Sequence, residues 1–281
     1  MKKLSVLVLL ASLMALFAGC LSDDQSSRAM LVPISGSTTV LPLAEVCAEE
    51  YNQLQKQYMV SITGGGSGAG ITNVAEGRSS IGMASREIKD SEKDNYETAD
   101  KKFQEHVIGY DGIILVVSPA VYRSGVTGLS TEQVRGIYSG RISNWKEVGG
   151  EDHMIYTVGR KGGSGTRDTF DEAIMGSKQA ETPGVDTEAA ENSEVKTAIV
   201  GSDWAIGYLG YSYISEGKVK PIALDGVTPT VESIKDGSYV LARKLYFYTY
   251  GEPTPGAQAF IDFVRGPTGR AIAEENGYIS T

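Results

Sequence analysis

Three loops rich in glycine, serine and threonine stand between β-like and helix-like runs of this chain, at residues 35–39, 64–70 and 159–167. Short strands that alternate with amphipathic helices predict an α/β architecture. The first turn of a helix has unpaired N–H groups and the positive end of the helix dipole, so each loop is a potential anion cradle. If the three loops converge, they would form one site for a small oxyanion.

The N-terminus is typical of an exported protein. Two lysines precede an apolar run over residues 4–18, which leads to Cys20. A basic start, a short apolar run and small residues before the cut mark a secretory signal, and this run is short for a membrane span. Small residues directly before a cysteine resemble a lipobox. We therefore expect a signal peptide over residues 1–19, a lipid on Cys20 and a polar tether over residues 20–29, which places the protein on the extracytoplasmic face of the membrane. An ordinary signal peptide with an incidental cysteine is the alternative.

Charge and cysteine content exclude several classes. The net charge of -9 argues against nucleic acid, whose partners usually have a basic face. It also gives an anion no general attraction, so an anion site must rely on helix dipoles and individual arginines. Once Cys20 carries lipid, only Cys47 remains, and no internal disulfide is possible. Its helical spacing with Val40 and Leu43 predicts a buried thiol.

The pattern of apolar residues predicts the order of elements. We expect strands over residues 31–34, 58–62, 81–84, 107–117, 155–158, 204–209 and 245–250. We expect helices over residues 40–54, 257–265 and 267–275, a capped helix over residues 192–200 and a short helix that ends near Gly77. The longest apolar run, residues 107–117, should be a central buried strand. Two α/β lobes fit this order: residues 30–117 with 241–281 in lobe 1, and residues 118–240 in lobe 2.

Seven motifs follow one another along the chain. They are Gly36-Ser37-Thr38-Thr39, Gly64-Gly65-Gly66-Ser67-Gly68, Ala84-Ser85-Arg86, Tyr110-Asp111-Gly112-Ile113, Ile137-Tyr138-Ser139-Gly140 with Asn144-Trp145, Gly163-Ser164-Gly165-Thr166 and Ala205-Ile206-Gly207-Tyr208. From about residue 31 to the C-terminus, their order and spacing resemble the phosphate-binding proteins of phosphate-specific ABC transporters. The resemblance implies a two-lobed, type II-like periplasmic-binding-protein fold, with a two-strand hinge and phosphate in the interlobe cleft.

The resemblance also implies a set of phosphate ligands. Carried over residue by residue, they are Thr38, Thr39, Ser67, Arg160, Ser164, Gly165 and Thr166. Some relatives have an aspartate at the position of Arg86, where it accepts a hydrogen bond from the phosphate proton. We therefore expect Asp111 to replace that acceptor, with Ser37, Ser85 and Arg86 as further donors. A fixed carboxylate favours protonated phosphate over sulfate, because a buried group left unmatched costs about 1–3 kcal/mol. Asp111 could instead be the buried partner of a structural arginine such as Arg86.

Three other functions are possible. A serine hydrolase would use Ser67, but Ala69 replaces the last glycine of the nucleophile elbow, and only His106 and His153 could serve as its base. A dinucleotide site would use the glycines of residues 64–70, but no acidic residue is clearly placed about 20 positions on. The same fold could also bind another oxyanion, such as sulfate, molybdate or tungstate.

The expected partners follow from these motifs. No Walker motif is present, and two scattered histidines suggest no metal site. We expect no catalytic residue, no cofactor and no metal. We expect a monomer that binds inorganic phosphate and docks on an ABC permease, touches the membrane only through its lipid, and does not bind nucleic acid.

Overall fold

The computed structural model describes residues 29–178, 180–214 and 217–281. The predicted signal peptide, Cys20 and all of the predicted tether except Ala29 lie outside these residues. Within the three described stretches, no helix is long and apolar enough to cross a membrane.

Strands and helices alternate along the chain, as the apolar pattern predicts. The strands are β1 Met30–Gly36, β2 Tyr58–Gly64, β3 Ile81–Ala84, β4 Phe103–Val117, β5 Gly128–Leu129, β6 Tyr156–Arg160, β7 Thr187–Ala189, β8 Ala205–Gly210, β9 Lys220–Pro221, β10 Ala223–Leu224 and β11 Ala242–Tyr250. The α-helices are α1 Leu41–Leu54, α2 Ser67–Ala75, α3 Asp90–Tyr96, α4 Pro119–Arg123, α5 Thr131–Tyr138, α6 Gly165–Phe170, α7 Asn192–Val200, α8 Val231–Lys235, α9 Pro255–Arg265 and α10 Pro267–Glu275. A π-helical turn, Asp171–Met175, continues α6, and 3-10 turns cover Trp145–Val148 and Tyr211–Tyr213.

One mixed sheet runs through the molecule in the order β2-β1-β3-β11-β4-β8-β6-β7, with β9 beside β4. Strand β1 is parallel to β2 and β3, and β6 is parallel to β7 and β8. Because parallel strands end at the same edge of a sheet, the loops after β1, β2 and β3 lie together, and the loop after β6 opens from the corresponding edge of the other half. The remaining pair, β5 and β10, forms a small separate sheet.

Strand β4 belongs to both halves of the sheet. Residues 103–112 pair with β11, and residues 113–117 pair with β8. Ile108 packs in the core of β1, β2, α1 and α9, whereas Ile113 packs in a second core formed with β8, α5 and α7. We call the half with β1, β2, α1 and α9 lobe 1, and the half with β8, α5 and α7 lobe 2. Along β11 the change of core falls between Leu241 and Leu245. Strands β4 and β11 thus connect the lobes, while the lobe boundaries at residues 117 and 241 stay a prediction.

Several local expectations are confirmed and two are wrong in detail. Cys47 is fully buried, and burial raises the pKa of its thiol to about 12. Strand β11 begins at Ala242, three residues before the predicted start, because its first residues pair with β4 across a polar stretch. Helix α7 has the predicted bounds, but its cap position, Glu191, makes no side-chain capping bond.

Candidate anion-binding site

The three glycine-rich loops converge, as the sequence predicts. The Gly68 amide donates to the Gly163 carbonyl at 3.0 Å, which joins the second loop to the third. The Thr39 and Thr166 hydroxyl oxygens lie 3.1 Å apart, which joins the first loop to the third. At Gly165 a Cβ atom would stand 2.3 Å from Ser67 Oγ, so only glycine permits this approach.

The first loop is held from several sides. Gly36 has φ +138, and a Cβ there would lie 2.3 Å from the Met83 carbonyl oxygen, so the turn out of β1 requires glycine. The Ser37 hydroxyl accepts from the amides of Thr39 and Val40 at 3.2 and 3.4 Å, so this predicted donor holds the turn that leads into α1. The Tyr213 hydroxyl donates to the Thr38 carbonyl at 2.7 Å. Thr38 and Thr39 are thereby fixed in buried positions.

Arg160 ends β6 with a guanidinium that is almost fully buried. It donates to the Asn192 side-chain oxygen at 2.9 Å, to the Ala190 carbonyl at 2.8 Å and to Thr38 Oγ1 at 3.3 Å. Among the described residues no carboxylate forms an ion pair with it, and Glu191 acts only at longer range. Burial lowers the pKa of Arg160 to about 10, so the group stays charged at neutral pH.

A second buried guanidinium, that of Arg243, reaches the same point from β11. It donates to Thr166 Oγ1 and Thr39 Oγ1, each at 3.0 Å, and to Ser85 Oγ at 3.3 Å. Its Nε and Nη2 atoms donate to Asp111 Oδ2 at 3.0 and 2.7 Å. Burial lowers the pKa of Arg243, while Asp111 opposes this shift. Arg243 is thus in contact with three hydroxyls that the sequence assigned to the site.

Asp111 is the arginine partner that the sequence left open, but its partner is Arg243 and not Arg86. The two residues stand opposite each other on β4 and β11. The second carboxylate oxygen, Oδ1, accepts from the Tyr211 amide at 3.0 Å. Burial raises the pKa of Asp111, and Arg243 acts against that shift.

Arg86 belongs to a separate group of charges, which we call the salt-bridge cluster: Arg86, Lys89, Glu92 and Asp168. Arg86 lies 2.7 Å from Glu92 and 2.8 Å from Asp168, and Lys89 lies 2.8 Å from the same Asp168 oxygen. Asp168 is on α6 of lobe 2, while the other three residues are in lobe 1. The cluster therefore ties the two lobes together beside the loops.

The remaining predicted donors have structural partners as well. Ser67 Oγ accepts from the Ser85 amide at 3.1 Å. Ser164 Oγ accepts from the Arg167 amide at 3.2 Å and so caps α6. The Arg167 guanidinium donates to the Arg160 carbonyl at 2.8 Å and pairs with Asp171 and Glu188. A cavity of about 510 Å³ adjoins this region between the lobes and is lined in part by Arg86, Asp168 and Arg243.

We call the place where the three loops meet Arg160 and Arg243 the convergence point. The charges there do not cancel. Arg160 and Arg243 supply two positive charges, and Asp111 supplies one negative charge. The hydroxyls of Thr38, Thr39 and Thr166 lie between the two guanidinium groups. Buried donors with one surplus positive charge suit a small anion with several oxygens.

Comparison with known proteins identifies the family. Residues 23–267 match the PBP superfamily domain. The phosphate-binding protein PstS of Bacillus subtilis (strain 168) is 32% identical, over 99% of this chain and 93% of its own length. The chain belongs to the PstS family. A Clostridium perfringens protein described as a phosphate ABC transporter substrate-binding protein, solved with bound phosphate, is 36% identical with a TM-score of 0.81 and covers 89% of this chain and 99% of its own. An ABC-type phosphate transport receptor from Vibrio cholerae is 31% identical with a TM-score of 0.72, over 89% of this chain and 100% of its own.

Two residues of this PstS family member escaped the sequence analysis. Arg243 lies two residues before the strand predicted over residues 245–250, and nothing nearby in the sequence marks it as a partner of Asp111, 132 residues away. Asn192 was predicted only as the start of a capped helix. Its amide instead donates to Thr38 Oγ1 and Thr39 Oγ1 at 3.3 and 3.1 Å.

Proposed function

We propose that this protein captures inorganic phosphate outside the cytoplasm and delivers it to an ABC permease. The observation that carries the proposal is the pair of buried guanidinium groups, Arg160 and Arg243, at the meeting point of three hydroxyl-bearing loops, where Asp111 pairs with Arg243 alone. The PstS relatives and the phosphate-bound structure from Clostridium perfringens support phosphate as the anion.

The proposed ligands come from both lobes. Thr38, Thr39 and Ser67 would donate from lobe 1, and Arg160 with Thr166 and the Gly165 amide would donate from lobe 2. Because strands β4 and β11 connect the lobes, a small change of their twist would open and close the cleft. Phosphate would bind to one lobe in the open form and gain its remaining hydrogen bonds on closure. The closed form would then dock on the permease.

The protein acts in this proposal as a receptor without chemistry of its own. A hydrolase based on Ser67 would need a histidine base within hydrogen-bond reach. The His106 ring instead lies 3.3 Å from the Thr249 hydroxyl, and the His153 ring stacks on Trp204 with centroids 3.8 Å apart. Ser67 Oγ itself contacts Ser85. This arrangement favours binding over hydrolysis.

The proposed location rests on the sequence. The basic start, the apolar run and Cys20 support export and a lipid on Cys20, with the body of a monomer held outside the membrane by residues 20–29. Mass spectrometry of the protein from membranes would test the anchor. A lipid-modified Cys20 as first residue is expected, and an unmodified N-terminus elsewhere would contradict it.

Calorimetric titration tests the ligand. The full-length chain in detergent would be titrated with phosphate, sulfate and molybdate at constant ionic strength. We expect phosphate to bind with a Kd of about 1 µM or below, and the other two anions to bind at least about 100-fold more weakly. Preference for sulfate or molybdate would keep the fold and replace the ligand. Absence of binding by all three would contradict the proposed function.

A further inference from the structure

We propose that Arg243 is a further anion-binding residue of this site, and that Asp111 positions Arg243 instead of accepting a proton-mediated hydrogen bond from the anion. This inference rests on the proposed function. It assigns a role to Arg243 for which the glycine-rich motifs provide no signal, and it changes the role that the sequence suggested for Asp111.

The contacts of Arg243 place it inside the site. Its guanidinium donates to the hydroxyls of Thr39 in the first loop and Thr166 in the third, and to Ser85 after β3. Each of these hydroxyls is a candidate ligand, and they are held by both lobes. An anion that reaches Thr39 and Thr166 therefore also reaches the Nη1–Nη2 edge of the Arg243 guanidinium, whose in-plane N–H groups now donate to these hydroxyls and suit two oxygens at once.

The contacts of Asp111 point to the role of positioning Arg243. Oδ2 accepts two N–H groups from Arg243, at 3.0 and 2.7 Å, and Oδ1 accepts the Tyr211 amide at 3.0 Å. The Gly210 backbone passes close to the carboxylate, since a Cβ added there would lie 3.2 Å from Oδ2. Both oxygens are thus engaged by the protein. A carboxylate in this position orients Arg243 and keeps it protonated, but offers little room for a ligand proton.

The consequence concerns selectivity. If Asp111 accepted the phosphate proton, its loss would relax the exclusion of sulfate specifically. If Asp111 positions Arg243, its loss disturbs a donor that serves every tetrahedral oxyanion, so phosphate and sulfate affinities change together. A phosphate proton near Arg243 would then be accepted by a hydroxyl oxygen, that of Thr39, Thr166 or Ser85, each of which contacts the guanidinium.

The test is a double-mutant cycle with phosphate as the probe. Arg243→Met removes the guanidinium and leaves the Asp111 charge buried beside the anion, so we expect phosphate affinity to fall by at least about 1000-fold. Adding Asp111→Asn to this variant removes the repulsion and should restore at least about 10-fold of the loss. The double variant should still bind about 10- to 100-fold more weakly than wild type, because the guanidinium donors are missing.

Three results would overturn the proposal. They are wild-type affinity in Arg243→Met, wild-type affinity in the double variant, and a single Asp111→Asn variant in which the ratio of sulfate to phosphate affinity rises more than about 10-fold. We expect that ratio to change less than about 3-fold. If Arg243→Met fails to fold, Arg243→Lys supplies the answer: one ammonium cannot reach Thr39, Ser85 and Thr166 together, so a loss of about 10-fold or more is expected. Unchanged affinity in Arg243→Lys would then count against the proposal.

Arg141→Met is the matched control, because Arg141 is exposed and its guanidinium donates to Ser139, a residue outside the site. Its phosphate affinity should equal that of wild type, and thermal unfolding without phosphate checks that each variant is folded. The two proposals can fail separately. If wild type prefers sulfate or molybdate, phosphate is wrong as the ligand, and the same cycle with the preferred anion decides the role of Arg243. If wild type binds none of these anions, both proposals are overturned.

Discussion

Two groups of buried charge lie side by side between the lobes, and they are compensated differently. In the salt-bridge cluster, Arg86 and Lys89 face two carboxylates, Glu92 and Asp168. At the convergence point, Arg160 and Arg243 face one carboxylate, Asp111. The first group is neutral as a whole, and the second has one surplus positive charge.

The difference separates a structural role from a binding role. A buried charge without a partner costs several kcal/mol, so a fold retains it only where something else supplies the opposite charge. In the salt-bridge cluster the protein supplies that charge itself. At Arg160 the partners are carbonyl and amide oxygens, which hydrogen-bond to the guanidinium without neutralising it. The net charge of each group, more than the type of residue in it, therefore indicates which arginines are available to an anion.

The largest effect is expected from a substitution at the convergence point, the group with a surplus positive charge. Arg160→Met should weaken phosphate binding by at least about 1000-fold, because a charged donor at the centre of the site is lost. No carboxylate of the described residues is left unpaired by this change, so the free energy of unfolding should fall by less than about 3 kcal/mol. Calorimetry and urea unfolding measure the two quantities. Loss of stability without loss of affinity would assign Arg160 to the core instead.

An intermediate effect is expected from the compensated group. Asp168→Asn leaves Arg86 and Lys89 with Glu92 alone, so the free energy of unfolding should fall by about 3 kcal/mol. Phosphate affinity should change less than about 10-fold, because the cluster would act on the site only through the contact between lobes. Asp152→Asn, in an exposed pair with Lys146, is the control and should leave the unfolding midpoint unchanged. A loss of affinity larger than the loss of stability would place the cluster in the site.

The smallest effect concerns Asp171, three residues beyond Asp168. Burial raises the pKa of Asp171 to about 6 from its ordinary value of 3.8, although Arg167 opposes the shift. Because the folded state holds the proton more tightly than the unfolded state, the stabilisation is complete below pH 3.8 and is lost as the pH rises through about 6. Asp171→Asn keeps an uncharged group there, so its unfolding temperature at pH 7.5 should exceed that of wild type by about 2–4 °C.

The difference for Asp171→Asn should shrink at pH 4.5, where the wild-type carboxyl is mostly protonated in the fold. Thermal unfolding at the two pH values measures it. A constant difference would show that the Arg167 ion pair, and not burial, governs this carboxylate. Phosphate affinity serves as the control and should be equal in the two proteins.

Much of the fold could be predicted because its signals are local. The apolar run of α1 and the strand β3 have the bounds or nearly the bounds that periodicity predicts, and the helix α10 ends where Asn276-Gly277 stops it. Strand β11 was harder, because Arg243 interrupts its apolar pattern where it pairs with Asp111. A charged residue in a strand looks exposed unless its partner across the sheet is known.

Local sequence preferences are enough to predict where strands give way to glycine-rich turns and helices, since those preferences depend on a few neighbouring residues. They therefore predict the three loops and the hydroxyls that the loops contribute. The pairing of each arginine with a carboxylate depends on the tertiary structure. Arg86, Arg160 and Arg243 have the same side chain, but Arg86 is neutralised across the lobes, Arg243 is held by Asp111 across β4 and β11, and Arg160 has no carboxylate partner among the described residues. Charges act through space, and the partners that compensate them are brought together only by folding.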